Sequence, residues 1–332
     1  MLTTGKNVNE RDRFCLRFFS PYDILFHHLR ICADGRMTPV QHIAFIGLGV
    51  MGGAMAGHLL DAGYDMHLYT RTREKALPLL ERGAHWHDAV AGCVAEADAV
   101  ITIVGFPPDV EEVYFGPNGI LENARPGTLL IDMTTTAPSL AVRIYEAARA
   151  RSLSALDAPV SGGDVGAKNA TLSIMAGGDR EAFERAMPLF ERMGSAIHHT
   201  GPAGTGQHTK MANQIAICGA IAGACEALQY ARKAGLDPEN MLSCISGGAA
   251  GSWQLSNMVP RILRGDLNPG FFIKHQVKDL RIAREEAERH GAALPVLDLV
   301  AAMYEQLLAA GDGQLGTQAL IRAYEAMPEP ER

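Results

Sequence analysis

Residues 42–57, HIAFIGLGVMGGAMAG, place four apolar residues directly ahead of a cluster of glycines. The run from Ile43 to Ile46 suits a strand buried on both faces. Gly47, Gly49 and Gly52 then fall in the G-x-G-x-x-G spacing, before a helical stretch expected from about Ala54. In that context Gly47 permits a tight turn, and Gly49, with the main chain of Leu48, Val50 and Met51, lets a pyrophosphate approach the backbone. Gly52 allows close packing of helix on strand. The helix start supplies free N–H groups and the positive end of a dipole. The triplet alone is weak in a chain with 35 glycines, and the flanking strand and helix are what make it a dinucleotide-binding turn.

The rest of the first 201 residues continues the pattern. MHLYT (66–70), EADAVITIVG (96–105), GTLLIDMTTT (127–136), SLSALDAPVSGG (152–163), TLSIMAGG (171–178) and AIHHTG (196–201) read as strands, alternating with helical segments at 73–81 and 139–149 and around AFERAMPLFERM. Such alternation implies a mostly parallel, doubly wound α/β sheet of the Rossmann type. Beyond Gly201 no strand runs remain. A long helix is expected from about 206 to 233, followed by further helices punctuated by glycine and proline. The predicted organisation is therefore an extension (1–36), a nucleotide-binding domain (37–201) and an all-α C-terminal domain (202–332). The arginine-rich extension also contains Glu10, Asp12, Asp23 and Asp34 and lacks a clean apolar core, so it makes a poor signal or transit peptide. Translation is expected to start at Met37.

An acidic residue normally ends the second strand when the ribose 2′-hydroxyl of NAD is bound. Here that end reads YTRTREK, with Thr70, Arg71, Thr72 and Arg73 in its place. A carboxylate would repel a 2′-phosphate and an arginine can hold one, so NADP is expected over NAD, with NAD still open. The competing reading leaves Arg71 and Arg73 as solvated loop residues. Net charge of −7 offers no basic footprint for nucleic acid or anionic lipid. The six cysteines form no C-x-x-C pair, which fits reduced thiols in a cytoplasmic protein. The apolar stretch 215–225 is short and stopped by Glu226, so it reads as a core helix rather than a membrane span.

The chemistry concentrates in GTGQHTKMANQ, residues 204–214. On a helix Lys210, Asn213 and Gln214 stand at i, i+3 and i+4, so an amine and two amides share a face. The apolar turns that follow indicate a buried helix, where a lysine is costly unless it has a role. GLGVMGGAMAGHL, DMTTTAP, DAPVSGGDVGAKNATLSIMAGG, GTGQHTKMANQ and KDLRIA, in that order, resemble the signature blocks of the β-hydroxyacid dehydrogenase family, which includes 3-hydroxyisobutyrate dehydrogenase, tartronate semialdehyde reductase and glyoxylate/succinic semialdehyde reductases. 6-Phosphogluconate dehydrogenase is a larger relative. The likeness runs from about Ile43 to the C-terminus.

The resemblance implies hydride transfer between NADP(H) and a small 3-hydroxy acid or semialdehyde. It makes Lys210 the general acid/base, and Ser161, Gly162 and Gly163 the holders of the substrate's carboxylate and hydroxyl region. Asn213 and Gln214 would orient substrate, Thr135 beside Thr134 would lie at the ligand edge of the sheet, and Lys278 would lie near the nicotinamide, although a solvated face is an open alternative for Lys278. A homodimer or homotetramer is implied as well. A lysine serves as a base only when neutral, which burial and a nearby positive charge favour. No metal is expected, because the His27–His28, His85/His87 and His198–His199 pairs lack ligand spacing. Trp253, Ser256 and Asn257 are possible specificity contacts. The reading from another class is an NADP-binding scaffold without turnover.

Overall fold

In a computed structural model of the chain the described residues are 40–328, so the expectations for residues 1–36 and for Met37 lie outside them. The strands are β1 (His42–Ile46), β2 (Asp65–Tyr69), β3 (His85–Trp86), β4 (Ala99–Thr102), β5 (Leu129–Asp132), β6 (Ser154–Asp157), β7 (Val160–Ser161), β8 (Leu172–Gly178) and β9 (Gly194–Gly201). They form one sheet in the order β3-β2-β1-β4-β5-β6-β8-β7, with β9 added alongside β8. The pairs from β3 across to β6 are all parallel, and β8 joins β6 antiparallel.

Strand period explains the two cores of this sheet. Ile43, Phe45, Ile101 and Ile131 point to one face, and Ala44, Ile46, Val100 and Leu130 to the other. Both faces are covered, which is why β1, β4 and β5 read as unbroken apolar runs. The first helix, Val50–Asp61, begins earlier than the sequence indicated, directly on the glycine turn. The expected helix at 73–81 is instead a turn at Arg73–Lys75 and a short helix, Leu77–Leu80, that carries Pro78 in its first turn. The expected strand at 152–163 is interrupted at Ala158–Pro159 into β6 and β7, where proline has no N–H to give the ladder, and both pieces pair antiparallel with β8 in one register. β3 and the helix Val90–Val94 were not anticipated.

After β9 the chain enters the helix Thr205–Lys233, around which the remaining helices assemble a third core containing Cys218, Leu228, Val277, Leu280 and Tyr304. By length and composition this helix is apolar enough to cross a membrane. It also buries Gln207, Lys210 and Gln214, and those side chains tie it to the sheet. The Asp157 carboxylate, at the end of β6, accepts hydrogen bonds from the main-chain N–H of Gly204 (2.7 Å) and Gln207 (2.8 Å), capping the helix from outside its own sequence. The Gln207 amide donates to the Thr134 carbonyl (2.7 Å) and accepts from the Thr136 N–H (3.0 Å), pinning the loop after β5 to the helix. At Gly206 a side chain would stand 2.4 Å from the carbonyl oxygens of Asp157 and Met175, so only glycine lets the helix lie this close to the sheet.

Candidate active site

A cleft of about 1240 Å³ runs along the C-terminal ends of β1, β2, β4 and β5 to the start of the long helix. That volume exceeds the roughly 300–1,000 Å³ of a single small-ligand pocket, leaving room for a dinucleotide and a small substrate together. The glycine turn lines one end, and its three glycines have three different reasons. Gly47 has φ +100°, and a side chain there would meet the Ile103 carbonyl at 2.2 Å. At Gly52 a side chain would stand 2.0 Å from the Gly47 carbonyl. Gly49 faces open space, with nothing within 4 Å of where its side chain would be. No side chain caps the helix that Gly49 opens, so its first N–H groups face the cleft. Open backbone and uncapped donors are what a pyrophosphate requires, and these residues fit that group.

At the end of β2, Thr70, Arg71 and Thr72 line the cleft as the sequence placed them, together with Lys75, which sequence reasoning missed. The Arg71 guanidinium is largely exposed and pairs with the Asp109 carboxylate at 3.0 Å. Arg73 instead lies over the Trp86 ring, 5.8 Å from its centre, outside the cleft lining. Two cations therefore flank the mouth where a ribose phosphate would sit.

The other end gathers the predicted polar residues. Lys210 is buried, and its ammonium donates to the Val160 carbonyl at 2.8 Å, beside the turn Ser161–Gly162–Gly163. Burial pulls its pKa down to about 8, while Asp279 pushes it up and Lys278 further down. Gly162 and Gly163 have φ of +134° and +63°, and a side chain at Gly163 would meet nothing within 4 Å, so the main chain is open to the cleft there. The Ser161 hydroxyl donates to Asn213 Oδ1 (3.2 Å), and Asn213 Nδ2 donates to Gln214 Oε1 (2.7 Å). Gln214 Nε2 donates to Asp279 Oδ2 (2.7 Å). Both ends of the Gln214 amide are thus held by protein groups, and Gln214 holds Asn213 in place.

Lys278 Nζ donates to the Thr135 carbonyl (2.6 Å) and lies 2.9 Å from Asp279 Oδ1, so it is tied into the site rather than solvated. Thr135 is half-buried on the cleft wall, whereas the Thr134 hydroxyl faces inward and accepts from the Val104 N–H at 3.0 Å. Trp253 and Asn257 line the cleft and Ser256 does not. His275 was not anticipated. It packs among Phe106, Phe271 and Phe272, and burial, then Lys278 and Lys274, pull its pKa down to about 4, so it is a neutral wall residue. Asp157 and Asp279 escaped notice because their partners lie far along the chain.

Comparison with known proteins agrees with this architecture. Residues 42–201 match the NAD-binding domain of 6-phosphogluconate dehydrogenase, and residues 204–324 match the NAD-binding domain of NADP-dependent 3-hydroxyisobutyrate dehydrogenase. An uncharacterised oxidoreductase of Bacillus subtilis is 56% identical over 282 residues, covering 85% of this chain and 98% of its own. The 2-hydroxy-3-oxopropionate reductase of Escherichia coli is 38% identical over 285 residues, covering 86% of this chain and 97% of its own. The structure of Mycobacterium tuberculosis 3-hydroxyisobutyrate dehydrogenase with L-serine superposes with a TM-score of 0.79 at 32% identity, covering 86% of this chain and all of that one. With a nucleotide turn at one end of its cleft and a buried lysine at the other, the chain belongs to the β-hydroxyacid dehydrogenase family, nicotinamide-dependent oxidoreductases that act on hydroxyl groups.

Proposed function

We propose that the chain is an NADP(H)-dependent reductase of small aldehydes bearing a carboxylate, acting in reverse on the corresponding 3-hydroxy acids of the 3-hydroxyisobutyrate or glycerate type. The observation that carries this reading is the buried Lys210 ammonium beside the turn Ser161–Gly162–Gly163, whose main chain is open at Gly163. An anion on those N–H groups sets a carbonyl or hydroxyl one or two carbons away against Lys210. The main chain of 48–52 would hold the cofactor's pyrophosphate. Arg71, released from Asp109, and Lys75 would hold the 2′-phosphate. The bound cofactor supplies or accepts the hydride.

The residues do the rest. In reduction, protonated Lys210 donates its proton to the oxygen that becomes the hydroxyl; in oxidation, the neutral amine takes that proton back. A pKa near 8 keeps both forms accessible around neutral pH. Asp279 anchors Lys278 and Gln214, and through Gln214 it fixes Asn213 against Ser161. We place the boundary between the nucleotide and helical domains after residue 201, with the nucleotide domain at 37–201 and the helical domain from 202. Exposed Tyr230, Val296 and Leu299 on the helical domain support assembly into a homo-oligomer, and the thiol pattern supports a cytoplasmic setting.

The test is NADPH consumption against tartronate semialdehyde, methylmalonate semialdehyde, succinic semialdehyde and glyoxylate. One of the carboxylate-bearing aldehydes is expected to stand out in kcat/KM. Tight NADPH binding with no turnover of any of them would favour a binding scaffold and overturn the reductase reading.

A further inference from the structure

The opposite, N-terminal end of the sheet gathers histidines that are scattered in sequence. In the parallel register of β1 and β2, His42 sits beside Asp65, and in that of β2 and β3, His67 sits beside His85. Asp65 and His67 are two residues apart on one strand, as are His85 and His87 along the edge, so the pleat turns them to a common face. One carboxylate therefore faces several imidazoles. Asp65 Oδ2 lies 2.7 Å from His42 Nδ1 and 3.4 Å from His67 Nε2, and Asp65 Oδ1 lies 3.2 Å from His85 Nε2. The ligand atoms of His42, Asp65 and His67 all lie within 4.8 Å of one another.

We propose that Asp65, His67 and His42 form a binding site for a divalent transition ion, with Zn²⁺ the best match and His85 holding the Asp65 carboxylate from its other oxygen. Bonds of 2.0–2.2 Å from zinc to nitrogen and oxygen make a tetrahedral edge of roughly 3.3 Å. The His67 separation from Asp65 Oδ2 already matches that edge, His42 needs only to trade its hydrogen bond for a ligand bond, and His85 bonds the other carboxylate oxygen, Oδ1, as an outer partner. The outer contact is in place as well. His67 Nδ1 and His87 Nε2 are 2.8 Å apart, so with Nε2 on the ion His67 donates its remaining N–H to His87. A ligating histidine characteristically makes such a bond. An ion here would clip the two-residue edge strand β3 to its neighbours.

A second cluster, His208, Glu286 and His290, is the internal control. Its carboxylate is already paired with the Arg289 guanidinium at 2.7 Å, and a cation in that place repels a metal ion.

The experiment is Zn²⁺ titration of the untagged, EDTA-treated full chain by calorimetry, with Co²⁺ absorption as a second reading of the geometry. The expected result is one Zn²⁺ per chain, a Co²⁺ spectrum of tetrahedral type, and a thermal midpoint that rises with Zn²⁺. Asp65→Asn and His67→Ala should abolish binding, and His87→Ala should weaken it about 10- to 100-fold. His85→Ala, at an exposed position, guards against misfolding: it should weaken Zn²⁺ binding while leaving the metal-free midpoint and NADPH binding unchanged. The proposal is overturned if the wild-type chain takes up no Zn²⁺ saturably, if Asp65→Asn binds as well as wild type, or if binding is lost only in His208→Ala.

Discussion

The two ends of the parallel sheet carry opposite chemistry. At the C-terminal ends of the strands stand glycine main chain, Arg71, Lys75, Lys210 and Lys278, a setting for anions. At the N-terminal ends stand Asp65 and the imidazoles of His42, His67 and His85. Topology explains the difference. In a β/α fold helices begin where strands end, so helix N-termini and their free N–H groups collect at one end, and helix C-termini with their carbonyls collect at the other. The helix Val50–Asp61 shows both, opening at Gly49 beside the cleft and closing shortly before Asp65. A phosphate and a metal ion would therefore bind at opposite ends of the same elements.

The sharpest break in the comparison comes from Lys210→Ala. It should lower kcat by about 10²- to 10⁴-fold, as loss of a general acid/base does, and leave NADPH affinity nearly unchanged. The same lysine gives a pH signature. Because its pKa is pulled down to about 8 from 10.5, kcat/KM for oxidation should rise with pH and level off above about 8, and the reductive rate should fall over the same range. The folding sign is consistent with this: between those two values the unfolded chain binds more protons, so this group adds stability as pH rises. A loss of less than tenfold, or a flat profile, would move the chemistry elsewhere.

The glycine turn offers a second contrast. Gly52→Ala forces a side chain against the Gly47 carbonyl and should lower stability by about 1–3 kcal/mol, read as a fall in thermal midpoint. Gly49→Ala, with open space around it, should leave the midpoint alone and raise the NADPH Kd by about tenfold, the equivalent of one charge-assisted hydrogen bond. If both variants simply unfold, the open cradle at Gly49 is not a ligand site. Arg71→Asp should act on cofactor choice alone, shifting the NADPH/NADH preference by about tenfold or less, since the Arg71 guanidinium is largely exposed. An unchanged ratio would transfer the 2′-phosphate to Lys75 or remove the preference for NADP.

Much of the cleft was legible because its signals are local. Gly47, Gly49 and Gly52 act within one turn, and the spacing of Lys210, Asn213 and Gln214 is a helix period. The sequence could not show that Gln214 looks inward to Asp279, that Thr134 is spent on the Val104 N–H, or that Arg73 rests on Trp86. Each of these depends on a partner in another element. The strand expected at 152–163 is different: β6 and β7 pair with β8 in one register, and the break between them falls at Ala158–Pro159, where a proline without an N–H is a local cause.

The sequence by itself determined a doubly wound nucleotide fold, the turn that faces the dinucleotide and the lysine-bearing helix, because apolar period and glycine stereochemistry operate between residues a few positions apart. Only the tertiary structure decided which side chains meet. Asp157 caps a helix about fifty residues downstream, and His42, Asp65, His67 and His85 converge because parallel register aligns strands separated by whole helices. A register of that kind leaves no spacing in the sequence to be read.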